Sequence, residues 1–384
     1  MARRQTSRKS KFSDEHWMDR ALELANRATG LAHPNPRVGA VIVKDGKVVG
    51  EGFHFYEGLK HAERVALEYA GKKARGATLY LNLEPCCHFG RTGPCTDAIV
   101  AAGIRRVVAA MKDPNPLVGG HGFRQLRRAG LRVDIGLRET EARKLNEDFA
   151  SWIRTRRPFV TLKSAMTLDG RIAEHPNARS LITGRASLAA VQKLRHASDA
   201  ILTGIGTVLA DDPLLTDRSN LPRWRPLLRV IVDSRLRISL KSRLVKSARN
   251  DLLVFTSRSL KSSKARGLAR AGVEVKRVKT RRGHSDLKGV MHELGRKKIL
   301  SVLLEAGPNL NGAALDAGIV DKMVLFYAPK FIGSSGVPLA HLPARWFRRA
   351  QELRIERVAR FGEDIAIEGY FHDVYGNHRA RRKN

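Results

Sequence analysis

One histidine, one glutamate and two cysteines stand at spacings that could do chemistry. His61-Ala62-Glu63 opens a stretch of helical periodicity, and Pro85-Cys86 and then Cys95 follow downstream. An imidazole and two thiolates suit a borderline-soft ion such as zinc, and three protein ligands leave a fourth position open for water. Zinc lowers the pKa of such a water toward neutrality. Glu63, two residues after a ligand, then sits beside the water rather than on the metal, where it can carry a proton to a leaving amine. A lone His-x-Glu on a helix is usually a solvated face, and a lone cysteine pair usually packs in a core. Their joint occurrence points instead to hydrolytic removal of an amine, the arrangement of zinc-dependent nucleobase deaminases.

Two adjacent cysteines rarely both reach one ion, because their side chains diverge. Cys86, directly after Pro85, fits the ligand position and leaves Cys87 to packing. Deaminases of tRNA and of free nucleosides generally place the second cysteine after two intervening residues. Here the whole run from Cys87 to Pro94 intervenes, and the longer loop brings His88 and Arg91 to the mouth of the metal site. All three cysteines lie in this one window, which builds no disulfide framework and fits a reducing, cytoplasmic setting.

The elements that must position these residues alternate between helical and strand periods. Ser13 is a helix N-cap, followed by Trp17, Ala21, Leu24 and Ala28 at helical spacing. Strands are expected at 38–44 and 47–53, joined by an Asp45-Gly46 turn. A helix follows over 61–70, stopped by Gly71. A strand at 78–83 runs into the cysteine loop, a helix begins at Pro94, and a strand spans 104–111. A helix at 122–129, a strand at 131–135 and a helix at 139–149 continue the order. Such alternation with short connections predicts a three-layer α/β/α domain. Residues 151–158, with three arginines and a proline, read as a basic linker. Beyond it, strands are expected at 159–164, 200–203, 227–233, 252–256, 299–305 and 324–329, with helices at 187–196 and 310–317. The basic stretch 235–288 reads as a place for flexible loops.

At 384 residues the chain is long enough for two or three domains, and 42% hydrophobic content excludes wholesale disorder. The simplest division is 12–150, the linker 151–158, and 159–372, with basic tails at 1–11 and 373–384. The formal charge is +34, and without the nine basic residues of the two ends the body still carries +25. Such a field favours polyanions or phosphorylated small molecules. No apolar run approaches the roughly 18 residues of a membrane span. The polar stretch 11–20 stands where a signal peptide would place its apolar segment.

The run Leu83-Glu84-Pro85-Cys86-Cys87-His88-Phe89-Gly90-Arg91-Thr92-Gly93-Pro94-Cys95 resembles the signature of the bifunctional riboflavin-biosynthesis deaminase–reductases. So do His33-Pro34-Asn35-Pro36 with Val38-Gly39, Asp113-Pro114-Asn115-Pro116, and Leu162-Lys163 with Thr167-Leu168-Asp169-Gly170. Leu209-Ala210-Asp211-Asp212-Pro213-Leu214-Leu215-Thr216 and Glu305-Ala306-Gly307-Pro308 complete the likeness, which spans about 14–336. The resemblance implies a cytidine-deaminase-like domain followed by a dihydrofolate-reductase-like one. The first would remove an amine from a phosphoribosylated diaminopyrimidine; the second would reduce the ribose to ribitol phosphate with NADPH.

Carried over residue by residue, His61, Cys86 and Cys95 would hold one zinc ion, and Glu63 would relay protons. Asn35, His54, His88, Arg91, Asp113 and Asn115 would line the deaminase substrate site. In the second half, Ala165, Thr207, Asp211, Ser234 and the run Gly307, Pro308, Asn309, Leu310, Asn311, Gly312 and Ala313 would meet NADPH. Arg179, Arg195, Leu215, Arg218 and Glu305 would meet the substrate, with Lys163 and Asp211 polarising the sugar and supplying a proton. The residues themselves agree with this: a strand runs into Gly307-Pro308 and then a helix, so backbone N–H groups there would face an anion. Gly204-x-Gly206 lacks the rest of a dinucleotide-binding fingerprint.

One departure bears on the second half. Arg179-Ser180-Leu181-Ile182-Thr183 stands where the family often has Ser-x-Trp-Ile-Thr, so a stacking surface is lost. That leaves a deaminase with an impaired reductase domain as an alternative. A deaminase of bases in nucleic acid would suit the charge, but aromatics make up only 6% and do not interleave with the basic residues as base stacking requires. A structural zinc would take four protein ligands and leave Glu63 idle. A phosphoribosylated pyrimidine is therefore the expected partner, with no specific nucleic acid, no membrane, and a homo-oligomeric assembly.

Overall fold

The computed structural model describes residues 12–90, 92–176, 181–281, 283–344, 346 and 351–376. Arg91 and Arg179, both expected at substrate sites, lie outside the described residues, as do 1–11 and 377–384 of the basic tails. The chain forms two compact units, Met1–Arg154 and Thr155–Asn384.

In the first unit, α1 (Asp14–Arg27) is capped by Ser13, whose side chain accepts from the His16 N–H at 3.4 Å. β1 (Gly39–Lys44) and β2 (Lys47–Phe53) form the expected hairpin. Asp45 and Gly46 both take positive φ (51° and 73°), as a two-residue turn between right-twisted strands demands. β3 (Thr78–Leu81), β4 (Arg106–Ala109) and β5 (Arg132–Ile135) complete a sheet of order β2-β1-β3-β4-β5. Its β2-β1-β3 part is antiparallel and β3-β4-β5 parallel.

Side-chain alternation along β1 separates the layers. Ala40 and Ile42 join the core made with α2 (Ala62–Ala70), α3 (Cys95–Ala101) and α4 (His121–Arg128), through Ala62, Ala66, Ile99, Phe123 and Leu126. Gly39 turns the other way, toward α1; a Cβ there would lie 2.1 Å from the Ala21 carbonyl oxygen. The three-layer α/β/α expectation therefore holds.

The helix expected at 139–149 is two helices, α5 (Glu139–Leu145) and α6 (Glu147–Thr155). Asn146 breaks them apart: fully buried, it accepts the Arg37 N–H at 2.8 Å and donates to the Arg37 carbonyl at 3.0 Å. The stretch read as a linker is consequently half helix. Residues 151–155 are the last turns of α6, because Phe149, Ala150 and Ser151 are buried, and the basic composition hid that continuation.

The second unit is built on nine strands, in the spatial order Val273–Arg277, Leu252–Thr256, Leu228–Val232, Ala200–Gly204, Ser301–Leu304, Phe159–Thr167, Lys322–Ala328, Asp364–Tyr370 and Arg354–Phe361. The first seven run parallel and the last two form an antiparallel hairpin on the edge. That hairpin was not foreseen, since Arg354–Phe361 is exposed along most of its length and shows no buried alternation. The basic stretch 235–288 carries regular structure: helices Arg243–Lys246 and Ser263–Arg270, strands Leu252–Thr256 and Val273–Arg277, and a small hairpin. Among the described residues, no helix is long and apolar enough to cross a membrane.

Candidate active sites

α2 is seated on β2 by two glycines. A Cβ on Gly50 would lie 2.2 Å from the Ala66 carbonyl oxygen, and one on Gly52 2.5 Å from that of Ala62. This close approach fixes His61 at the N-cap of α2 and Glu63 in its first turn. The end of β3 delivers Cys86, and the Cys86 carbonyl accepts the N–H groups of Cys95 (3.1 Å) and Thr96 (3.2 Å), so α3 starts against it. The ligand atoms of His61, Cys86 and Cys95 all lie within 4.8 Å of one another. His61 Nδ1 is 3.2 Å from Cys95 Sγ and 3.4 Å from Cys86 Sγ.

The trio shares protons among its members. The hydrogen bond with Cys95, and then that with His61, pulls the Cys86 thiol down to about 4. The same contact with Cys86, reinforced by burial, pushes Cys95 up. The hydrogen bond with Cys86 also raises His61. A histidine and two sulfurs with one thiol already acidic form a donor set that fits zinc. Glu63 is 4% exposed, and burial raises its carboxyl above the ordinary range against the opposing pull of His61. A carboxyl so placed can hold a proton between steps. Cys87 is half-buried and outside the trio.

Of the residues expected around this centre, His54 adjoins His61 with ring centroids 5.5 Å apart. Its Nδ1 pairs with the Lys60 carbonyl at 2.9 Å, which makes Nε2 the acceptor for the Asn35 side-chain amide at 2.9 Å. His88 is exposed on the cysteine loop. Asp113 and Asn115 form successive turns: Asp113 Oδ1 accepts the Asn115 N–H at 2.7 Å, and Asn115 Oδ1 accepts the Leu117 N–H at 3.1 Å. Burial pushes Asp113 up to about 7, although the Asn115 N–H opposes it.

In the second unit, strand register brings the reductase candidates together. Leu304 pairs with Leu162, which sets Glu305 beside Lys163 at the neighbouring strand. Glu305 is held by Arg195 at 2.8 and 3.0 Å, and Lys163 Nζ lies 3.8 Å away. Burial alone would raise Glu305, but Lys163 and Arg195 hold it below the usual carboxylate range. A cavity of ≈ 210 Å³ is lined by Arg195, Asp211, Leu215 and Arg218 among others.

Thr207 lies close to Gly307, and Leu310 close to Gly204, so the two glycine loops adjoin. Helix Pro308–Asp316 starts at Gly307 with Pro308 in its first turn. Ser234 is engaged by Ser285 through its hydroxyl. Ala165 packs beside Val191 and Phe326. Asn309 and Ala313 are exposed on the helix Pro308–Asp316. Asn311 and Gly312 have packing duties: the Asn311 amide donates to the Ala306 and Leu339 carbonyls, and a Cβ on Gly312 would strike the His341 carbonyl at 2.0 Å. Leu181 is 73% exposed.

Three residues went unassigned in the sequence. Arg64, next to Glu63, donates to the carbonyls of Gly93 (3.0 Å) and Pro94 (3.2 Å) and so holds the loop that leads into Cys95. Arg243 lines the reductase cavity. Glu84 is buried among backbone N–H groups. Arginine and glutamate are ordinary surface residues, and no spacing marks these three.

Residues 11–111 match the family described as cytidine and deoxycytidylate deaminase zinc-binding region, and 158–367 match the RibD C-terminal domain. The chain is 42% identical to the riboflavin biosynthesis protein RibD of Aquifex aeolicus over 92% of this chain and 97% of that one. It is likewise 42% identical to RibD of Escherichia coli, over 93% and 99% of the two chains. Among solved structures, Acinetobacter baumannii RibD superposes with a TM-score of 0.83 at 38% identity, covering 93% of this chain and 98% of that one. A Thermotoga maritima protein described as a diaminohydroxyphosphoribosylaminopyrimidine deaminase/5-amino-6-(5-phosphoribosylamino)uracil reductase gives 0.80 at 37% identity, with the same coverage.

Proposed function

The chain belongs to the RibD family of riboflavin biosynthesis, as a bifunctional deaminase and reductase, and from that premise we propose what each half acts on and which residues act. The first half deaminates 2,5-diamino-6-(5-phosphoribosylamino)pyrimidin-4-one. The second reduces the ribosyl group of the product with NADPH, giving 5-amino-6-(5-phosphoribitylamino)uracil. The domains that do this are 12–150 and 159–372.

His61, Cys86 and Cys95 would hold zinc, and the observation that carries this reading is their convergence within 4.8 Å beside the buried Glu63. When bound, zinc supplies the Lewis acidity that makes a water nucleophilic at neutral pH. Glu63 takes the proton of the attacking water and passes it to the departing amine, so that ammonia leaves. Asn35, oriented by His54, and the Asp113–Asn115 turn bind the pyrimidine edge; His88 and Arg91 attend the phosphoribosyl end.

In the second half, NADPH supplies the hydride and the protein supplies orientation and charge. Lys163, whose Nζ lies 3.8 Å from the Glu305 carboxylate, polarises the sugar oxygen, and Asp211 delivers the proton. Arg195 is committed to Glu305, so Arg218 is the better candidate for the substrate phosphate. Arg179 contributes a second cation there, and Leu215 forms an apolar wall. Ala165, Thr207, Ser234 and the start of the helix Pro308–Asp316 would hold the cofactor.

A deaminase with a weakened reductase half is the second reading, favoured by the exposed Leu181 where a stacking tryptophan is frequent. Purified protein assayed for bound zinc, ammonia release and NADPH consumption on the phosphoribosyl pyrimidine separates the two. Ammonia release with negligible NADPH consumption would favour the second.

A further inference from the structure

We propose that Glu84 is a positioning residue that clamps the 113–120 loop to the metal centre and thereby sets how tightly the deaminase half holds its substrate. The inference rests on the deaminase reading above. Glu84 is 3% exposed, and its carboxylate is directed at backbone rather than at any basic side chain among the described residues. Oε2 accepts the N–H of Asp113 at 3.2 Å and of Gly120 at 2.8 Å, the two ends of the loop. Oε1 accepts the Phe123 N–H at 3.2 Å, in the first turn of α4.

One buried carboxylate thus closes a loop and caps a helix by accepting three backbone N–H groups. Its own backbone is registered by a hydrogen bond from the Glu84 N–H to the Met111 carbonyl at 3.0 Å. The same chain segment reaches Cys86 two residues later. α4 is also pressed against this segment: a Cβ on Gly122 would lie 2.2 Å from the Pro85 carbonyl oxygen. The Asp113 and Asn115 side chains are each held by a backbone N–H two residues on, those of Asn115 and Leu117, and make no hydrogen bond to the metal trio among the described residues. What registers them against Cys86 is the Glu84 carboxylate together with the Gly122 contact.

Glu84→Gln keeps the volume but has only one acceptor oxygen, so the amide nitrogen must face an N–H and one end of the clamp opens. Three readings in one preparation isolate the effect: zinc content, NADPH oxidation by the second half, and deamination kinetics on 2,5-diamino-6-(5-phosphoribosylamino)pyrimidin-4-one. The expected result is wild-type zinc and NADPH oxidation, with the deaminase KM raised by about tenfold or more and kcat reduced less. Gly122→Ala, whose Cβ would lie 2.2 Å from the Pro85 carbonyl oxygen and 3.3 Å from Glu84 Oε1, displaces α4 from the clamp and should raise KM in the same way. A helix cap with no positioning role would lower the melting temperature and leave KM alone.

A KM within about twofold of wild type in folded Glu84→Gln overturns the proposal. So does loss of zinc in parallel with activity, or an unchanged KM in Gly122→Ala if Glu84→Gln does not fold. Absence of ammonia release from the wild-type protein would instead overturn the deaminase reading on which this rests.

Discussion

Glu305 meets Arg195 through both carboxylate oxygens, at 2.8 and 3.0 Å, and Arg195 in turn lines the cavity of the second unit. The pair leaves Lys163 as the cation of this cluster not committed to a bidentate partner. Neutralising Glu305 leaves two cations facing each other without their counterion. Glu305→Gln is expected to lower NADPH oxidation by roughly 10²-fold, while ammonia release from the other half stays near wild type. Steady-state assays of both activities on one preparation check this.

Arg64 sits on the helix that carries Glu63 and grips the peptide leading into Cys95. Removing such an outer support typically costs a metal site about 10- to 100-fold in affinity. Arg64→Ala is expected to lose zinc to a competing chelator at a correspondingly lower concentration, with Arg64→Lys in between. Equal resistance to the chelator would show that the loop holds itself.

Arg243 and Arg218 stand on the cavity wall that Arg195, tied to Glu305, cannot serve as a free cation. If they receive a phosphate, Arg243→Ala should raise a reductase KM by about tenfold, the loss of one charge-assisted hydrogen bond. Measuring KM for the sugar substrate and for NADPH separately tells which phosphate is involved. No change in either would remove Arg243 from the site.

Asp148 gives the deaminase unit its sharpest acid sensitivity. Burial alone would raise its pKa, but Arg37 at 2.6 Å and His33 at 3.1 Å hold it well below the usual carboxylate range. The stability it contributes is therefore complete above about pH 4, the unfolded value, and is lost as pH falls from there toward the depressed folded value. Asp148→Asn should cost about 3–5 kcal/mol at neutral pH by stranding two buried bases, and should flatten the acid limb. Thermal melts from neutral pH down to about pH 3 would show both effects.

The metal trio was legible because histidine and paired cysteines have few other reasons to share a strand end and two helix starts. Lys163 and Glu305 became neighbours through strand register, which the sequence shows only by analogy. Arg64 and Glu84 escaped because their partners are backbone groups, which carry no sequence signal. The division between the two units falls within 151–158, at Arg154/Thr155, but the helical part of that stretch escaped for a related reason: its arginines advertised an exposed connection, while burial of Phe149, Ala150 and Ser151 kept the helix going to Thr155. Asn311 and Gly312 show the converse, since a phosphate-loop pattern can be shared by residues that serve packing.

The most direct test of the account is Glu63→Gln, assayed for zinc by metal analysis and for ammonia on the phosphoribosyl pyrimidine. The trio His61, Cys86 and Cys95 is untouched, so zinc should remain bound at the wild-type stoichiometry while ammonia release falls by roughly 10²-fold or more. Undiminished ammonia release from the zinc-loaded variant would contradict the proton relay, and with it the chemistry assigned to this centre.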